Sequence, residues 1–150
     1  MLFRSDYFQL RPAEAQQLSL SLSASLNDAY KTLREPFRRA EYLLRLYGGP
    51  SPSQQRDMPP GFLEDVLELR MAIEEAREES GGDSAVAAEL AARVDADRES
   101  AMRRVADAFE AIEKRPAGEP DAAALLEVRR QLNTVKYLDG LLRELEDLQQ

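Results

Sequence analysis

The amino-acid sequence predicts an all-α chain, and three features point there. Ala, Leu, Glu and Arg dominate the 150 residues and tryptophan is absent, a composition that favours helices. Apolar residues recur at spacings of three and four along the long segments. Glycine and proline gather at a few places and punctuate those segments, and no segment reads as a strand with a partner.

The first helix is expected over Pro12 to Leu33. Proline suits a first helical turn, and Pro36 disfavours helical geometry at Glu35, so this helix stops near Arg34. It contains LSLSLSAS, Leu18 to Ser25, whose alternation would by itself suit a half-buried strand. The helical reading wins because Leu18, Leu22, Leu26, Ala29 and Leu33 step by four, four, three and four. Leu20 and Ala24 form a second stripe on roughly the opposite side. A second helix is expected from Pro36 to Gly48, with Phe37, Ala40, Leu43, Leu44 and Tyr47 at helical spacing and Gly48 at the C′ position.

Residues 48–61, GGPSPSQQRDMPPG, hold four prolines and three glycines in fourteen residues and cannot continue a helix. Three longer helices should follow, over about Pro60–Ser80, Ser84–Lys114 and Pro120–Leu148. Gly81–Gly82 and Pro116–Gly118 provide the breaks, and Asp83 or Ser84 caps the middle helix. The middle stripe runs Val86, Leu90, Val94, then Ala101, Val105, Ala108, Ile112, interrupted by DADRES. The last repeats as Val128, Leu132, Val135, Leu138, Leu142, Leu145, near a 3.5-residue period. Short connections make these helices an antiparallel up-down-up bundle.

Composition excludes several chemistries. With no cysteine and no histidine there is no disulfide framework, thiolate zinc site, cysteine nucleophile or Ser-His-Asp triad. Neither a Gly-rich phosphate loop nor an EF-hand loop occurs. The expectation is a non-enzyme without a cofactor or metal. Glu74, Glu75, Glu78 and Glu79 are the one carboxylate cluster that could hold a cation, and such a cluster ordinarily forms a solvated face. Residues 1–49 carry seven Lys/Arg against five Asp/Glu, a balance of +2, and residues 50–150 thirteen against twenty-three, a balance of −10. An acidic body repels nucleic acid and anionic membrane, so neither is expected as a partner. No apolar run reaches membrane-spanning length and MLFRSDYF does not make a signal peptide, so a cytoplasmic location is expected.

The helix after the linker carries more apolar surface than one bundle face needs. Phe62, Val66, Leu69 and Ile73 fall within about 60° of arc and form a core stripe. Leu63 and Leu67 lie about 100–140° from Phe62, and Met71 about 180°. This second stripe either widens the core or remains exposed behind a charged rim, as a docking surface would. Tyr137 sits about 160° from the Val135–Leu142 stripe and should point away from the core, where it would suit a partner anchor.

Three stretches resemble the HscB family, J-type co-chaperones of iron–sulfur cluster assembly. LNDAYKTLREPFRRAEYLLRLYG, Leu26 to Gly48, is similar to the family's distal J-domain and connector. FLEDVLELR, Phe62 to Arg70, resembles the start of its C-terminal bundle, and VKYLDGLL, Val135 to Leu142, part of its last helix. The resemblance implies an IscU-type scaffold protein bound through the bundle and presented to a DnaK-type (HscA-like) chaperone through the J-domain. Carried over by position, the scaffold-binding residues are Leu63, Leu67, Glu68, Arg70, Met71 and Tyr137. Glu64 and Met71 stand where the family commonly has methionine and glutamate.

The larger departure is at the front. Arg4-Ser5-Asp6 stands where a J-domain has His-Pro-Asp, so Asp6 is the remnant of the chaperone-binding tripeptide. The resemblance therefore implies a truncated J-domain: a leader over 1–5, a partial J-domain and connecting helix over 6–47, a linker over 48–61, and the scaffold-binding three-helix bundle over 62–150. Stimulation of a chaperone ATPase is not expected of such a chain. One stripe of its third J-domain helix would be bare, and self-association through Leu18, Leu20 or Leu22, or a refolded front end, is expected. The rival reading is a helical protein–protein adaptor with no chaperone role.

Overall fold

The computed structural model describes residues 11–80, 84–116 and 121–149. It contains α1 (Pro12–Arg34), α2 (Pro36–Leu46), α3 (Phe62–Ser80), α4 (Ser84–Glu113) and α5 (Ala122–Leu148), with no strand among the described residues. The fold is all-α, and the LSLSLSAS alternation lies inside α1. Asp6 and the rest of 1–10 lie outside the described residues, as does Asp83. The chain divides into two compact units, residues 1–39 and 40–150.

In the first unit, α1 is exposed at every residue from Pro12 to Asp28, Leu18, Leu20, Leu22 and Leu26 included. Its helicity over this stretch draws on local propensity and backbone hydrogen bonds rather than burial.

The second unit opens with the end of α2. The Gly48 N–H donates to Arg45 O at 3.0 Å and the Gly49 N–H to Leu44 O at 2.9 Å, the paired bonds of a Schellman cap. Gly48 has φ 79°, a conformation open to glycine, and is the C′ residue the sequence predicts. At Gly49 a Cβ would collide with the side chain of Leu44, which is fully buried. The chain can leave the helix at that angle only because both residues lack side chains.

In the bundle, α4 and α5 form the most extensive interface. They are antiparallel: Arg98 pairs with Asp139 at 2.6 Å, and nearer the turn Arg115 reaches Asp121 at 3.3 Å. Asp121 also caps α5, accepting from the Ala124 N–H at 3.0 Å. Arg98 belongs to DADRES, so the gap in the apolar stripe of α4 is filled by an ion pair with the facing helix. Helix α3 runs parallel to α5, because Phe62 meets Tyr137 while Arg70 meets Glu144. The core where the three helices meet comprises Leu69, Ile73, Ala87, Val94, Leu138, Leu141 and Leu145.

Two stripes are displaced from their expected positions. Ala87 and Phe109 of α4 are buried while Val86 is exposed, and Leu141 of α5 is fully buried while Leu142 is only partly so. The cause on α5 is its surroundings. A single stripe presumes one packing face, whereas α5 meets α4, α3, α2 and the 48–61 segment. Arg129 shows the consequence: it is 1% exposed on α5, yet it carries a charge. Its two terminal nitrogens donate to Glu41 of α2 at 2.8 and 2.6 Å, and its Nε donates to Asn133 Oδ1 at 3.1 Å. Asn133 Nδ2 in turn donates to the carbonyls of Gln55 (3.1 Å) and Asp57 (2.8 Å). The proline/glycine segment is thereby tied to the middle of α5.

Removing one member of a buried, hydrogen-bonded ion pair leaves the other without compensation. Arg129→Ala is expected to lower the unfolding free energy by about 3 kcal/mol in urea denaturation. Ala at Lys136, exposed on the same helix, should change it by less than about 0.5 kcal/mol.

Candidate functional site: an exposed apolar strip on α3

Helix α3 presents two apolar faces with opposite fates. Val66, Leu69, Ile73 and Ala76 are buried in the bundle, and Phe62 is partly buried at its edge. Leu63, Leu67 and Met71, spaced by four, are 69%, 62% and 59% exposed. Of the two readings the sequence leaves open for this stripe, the structure favours the exposed one. Three large apolar side chains in line on one helix exceed the scattered exposure ordinary on a protein surface. On the far side of the strip stand Glu64, Glu68 and Glu75, all exposed, which give it an acidic rim.

The near side, where α3 borders α5, is built differently. Arg70 falls between the core face and the strip, at about 80° from Phe62. Its Nε donates to Tyr137 Oη at 3.0 Å and its Nη1 to Glu144 Oε2 at 2.7 Å. The Tyr137 ring stands edge-on to Phe62, with centroids 5.9 Å apart and planes at 89°. Tyr137 is therefore half-buried, not turned outward as its wheel position suggests, because the side of α5 opposite Val135 packs against α3. The Tyr137 hydrogen bond, then Glu144, raise the Arg70 guanidinium pKa above its ordinary value. A raised basic pKa means that Arg70 keeps its charge until strongly alkaline pH, where its contribution is lost. The corner therefore holds a cation at neutral pH.

Of the residues expected to bind a partner, Leu63, Leu67, Glu68, Arg70 and Met71 all project from α3, and Arg70 reaches Tyr137 on α5. Asp6 lies outside the described residues. Sequence reasoning missed Glu144 and the role of Phe62. Glu144 follows Tyr137 by seven residues and shares its face of α5, a signal that heptad spacing could have supplied. Glu74, Glu75 and Glu78 are exposed, and Glu74 is paired with Arg77 at 2.8 Å. Among the described residues no group of three or more His, Cys, Asp or Glu is placed to hold a metal ion. No helix among them is long and apolar enough to cross a membrane.

The two faces make opposite demands on stability. Ile73→Ala, which truncates a fully buried side chain, should destabilise the fold by about 2–5 kcal/mol. Leu67→Ala should stay within about 0.5 kcal/mol of the parent. Thermal or chemical unfolding of both variants checks this, and comparable losses would return Leu67 to the core.

The strip, its acidic rim and the Arg70–Tyr137 corner all lie within one segment that matches a known family. The model of the HSCB C-terminal oligomerisation domain matches residues 58–146, more than half of the chain. No solved structure matches it. An all-α bundle and a match from just before α3 almost to the end of α5 lead to one conclusion: the chain belongs to the HscB family of co-chaperones.

Proposed function

We propose that this chain acts in iron–sulfur cluster biogenesis by binding an IscU-type scaffold protein through the α3 strip, for presentation to a DnaK-type chaperone. The observation that carries the reading is the exposure of Leu63, Leu67 and Met71 on a helix whose opposite face is core. Those residues coincide with the positions that the family resemblance assigns to the scaffold. The mechanism is physical rather than covalent. Apolar side chains lose water on docking, and the charged rim, Glu68 among it, sets orientation and rejects wrong partners. In this reading residues 62–150 hold the scaffold, 48–61 connect, and 6–47 are the J-domain-related part that faces the chaperone. The site of action is the cytoplasm.

Calorimetric titration with an IscU-type scaffold tests the assignment. The parent chain should bind, and Leu67→Ala and Tyr137→Ala should each weaken binding roughly tenfold, as anchor residues do. Binding by both variants as tight as the parent's would remove the site from α3.

A second surface supports self-association. Leu18, Leu20, Leu22 and Leu26 are exposed on α1, outside the segment matched by the family's oligomerisation domain. We propose that copies of the chain associate through α1. Light scattering at rising concentration should then report masses above the monomer, and Leu22→Glu should return them to the monomer. A monomer at all concentrations would refute this.

A further inference from the structure

The corner between α3 and α5 is more organised than a docking strip requires, and the direction of its hydrogen bonds has a consequence. Tyr137 Oη accepts from Arg70 Nε at 3.0 Å, so one lone pair of the phenol is occupied. The phenolic proton has no acceptor among the described residues and is free to be donated. Arg70 is not free to turn away, because Glu144 holds Nη1 at 2.7 Å. The ring is held independently by its edge-on contact with Phe62. Tyr137 is thus fixed at both ends, with its proton uncommitted among the described residues.

We propose that Glu144 is a positioning residue which, through Arg70, orients the Tyr137 hydroxyl to donate a hydrogen bond to an acceptor, a carbonyl or carboxylate oxygen, on the docked protein. This rests on the reading of the α3 strip as the scaffold-binding surface. A neutral hydroxyl already accepting from a cation is a better donor, since each bond in a chain polarises the next. Fixing it before docking also spares the rotamer entropy of ordering it in the complex. Tyr137→Phe would keep the ring and its contact with Phe62 and lose the hydroxyl, and with it both the bond accepted from Arg70 and the bond donated to the partner. Glutamine at 144 would keep the size of the side chain and lose the charge that clamps Arg70.

The test compares the full chain with Leu67→Ala, Tyr137→Phe, Glu144→Gln and the Tyr137→Phe/Glu144→Gln double variant in titrations against an IscU-type scaffold. Each of the last two single variants should bind roughly three- to tenfold more weakly, the scale set by one ordered side chain and its hydrogen bond. The double variant should be no weaker than the weaker single, because both act through one bond. In the free protein, the Arg70 Nε–H resonance should be protected from exchange and lose that protection in Glu144→Gln, a change that loss of stability alone would not confine to this group. If the parent chain does not bind, or Leu67→Ala binds as tightly, the docking reading falls and this inference with it. If the parent binds and Leu67→Ala weakens binding, but Tyr137→Phe or Glu144→Gln binds like the parent, the positioning role alone is overturned. Losses that multiply in the double variant would also overturn it, by showing that Glu144 acts independently of Tyr137.

Discussion

The Arg129 guanidinium is the constraint on which the arrangement around α5 depends. It is a full charge removed from water, and such a charge is tolerated only where its donors meet acceptors in good geometry. Glu41 and Asn133 supply those acceptors, and Asn133 extends the same network to the backbone at Gln55 and Asp57. One side chain on α5 therefore fixes the end of α2 and the segment leading to α3. Hydrophobic burial could hold α2 against the bundle at several registers. A bidentate ion pair with a third bond at right angles in purpose, to Asn133, accepts only one.

That fixed path determines how α3 arrives. With its lead-in segment held against α5, the helix begins at Phe62, whose ring meets Tyr137, and buries Val66, Leu69, Ile73 and Ala76. Because α3 turns a single face to α4 and α5, its second stripe, Leu63, Leu67 and Met71, stays exposed. The exposed strip is thus coupled to the core by geometry. It cannot be turned inward without turning out the core face of Val66, Leu69, Ile73 and Ala76. The charges are arranged accordingly, with exposed carboxylates on the far edge and a paired, clamped arginine on the near one.

Much of this was legible in the sequence because it is local. The spacing of Leu18, Leu22 and Leu26 overrules the LSLSLSAS alternation, Gly48 marks the end of α2, and Asp121 stands at the start of α5. The exposed strip was legible as an excess of apolar arc on α3, though not its exposure. What escaped was contact between elements far apart in the chain. Arg129, Glu41 and Asn133 look like surface residues on a helical wheel, because polarity is the ordinary mark of a solvated face. A helical wheel with one inner face turns Tyr137 outward, whereas α5 packs on more than one side. Glu144 was missed for the same reason, since its partner Arg70 lies 74 residues earlier.

The unequal interfaces of the bundle have a kinetic meaning. Helices α4 and α5 share the longest seam and are joined by a short connection, so their pairing is a local event and closes with little chain entropy to overcome. Helix α3 has narrower seams with both and is expected to join the hairpin after it forms. By the same ordering it is the first of the three to open when the native state fluctuates. The surface proposed for docking is therefore carried on the least anchored helix of the bundle. A protein that occupies the strip would act as a clasp, slowing the earliest step of unfolding as well as holding its own place.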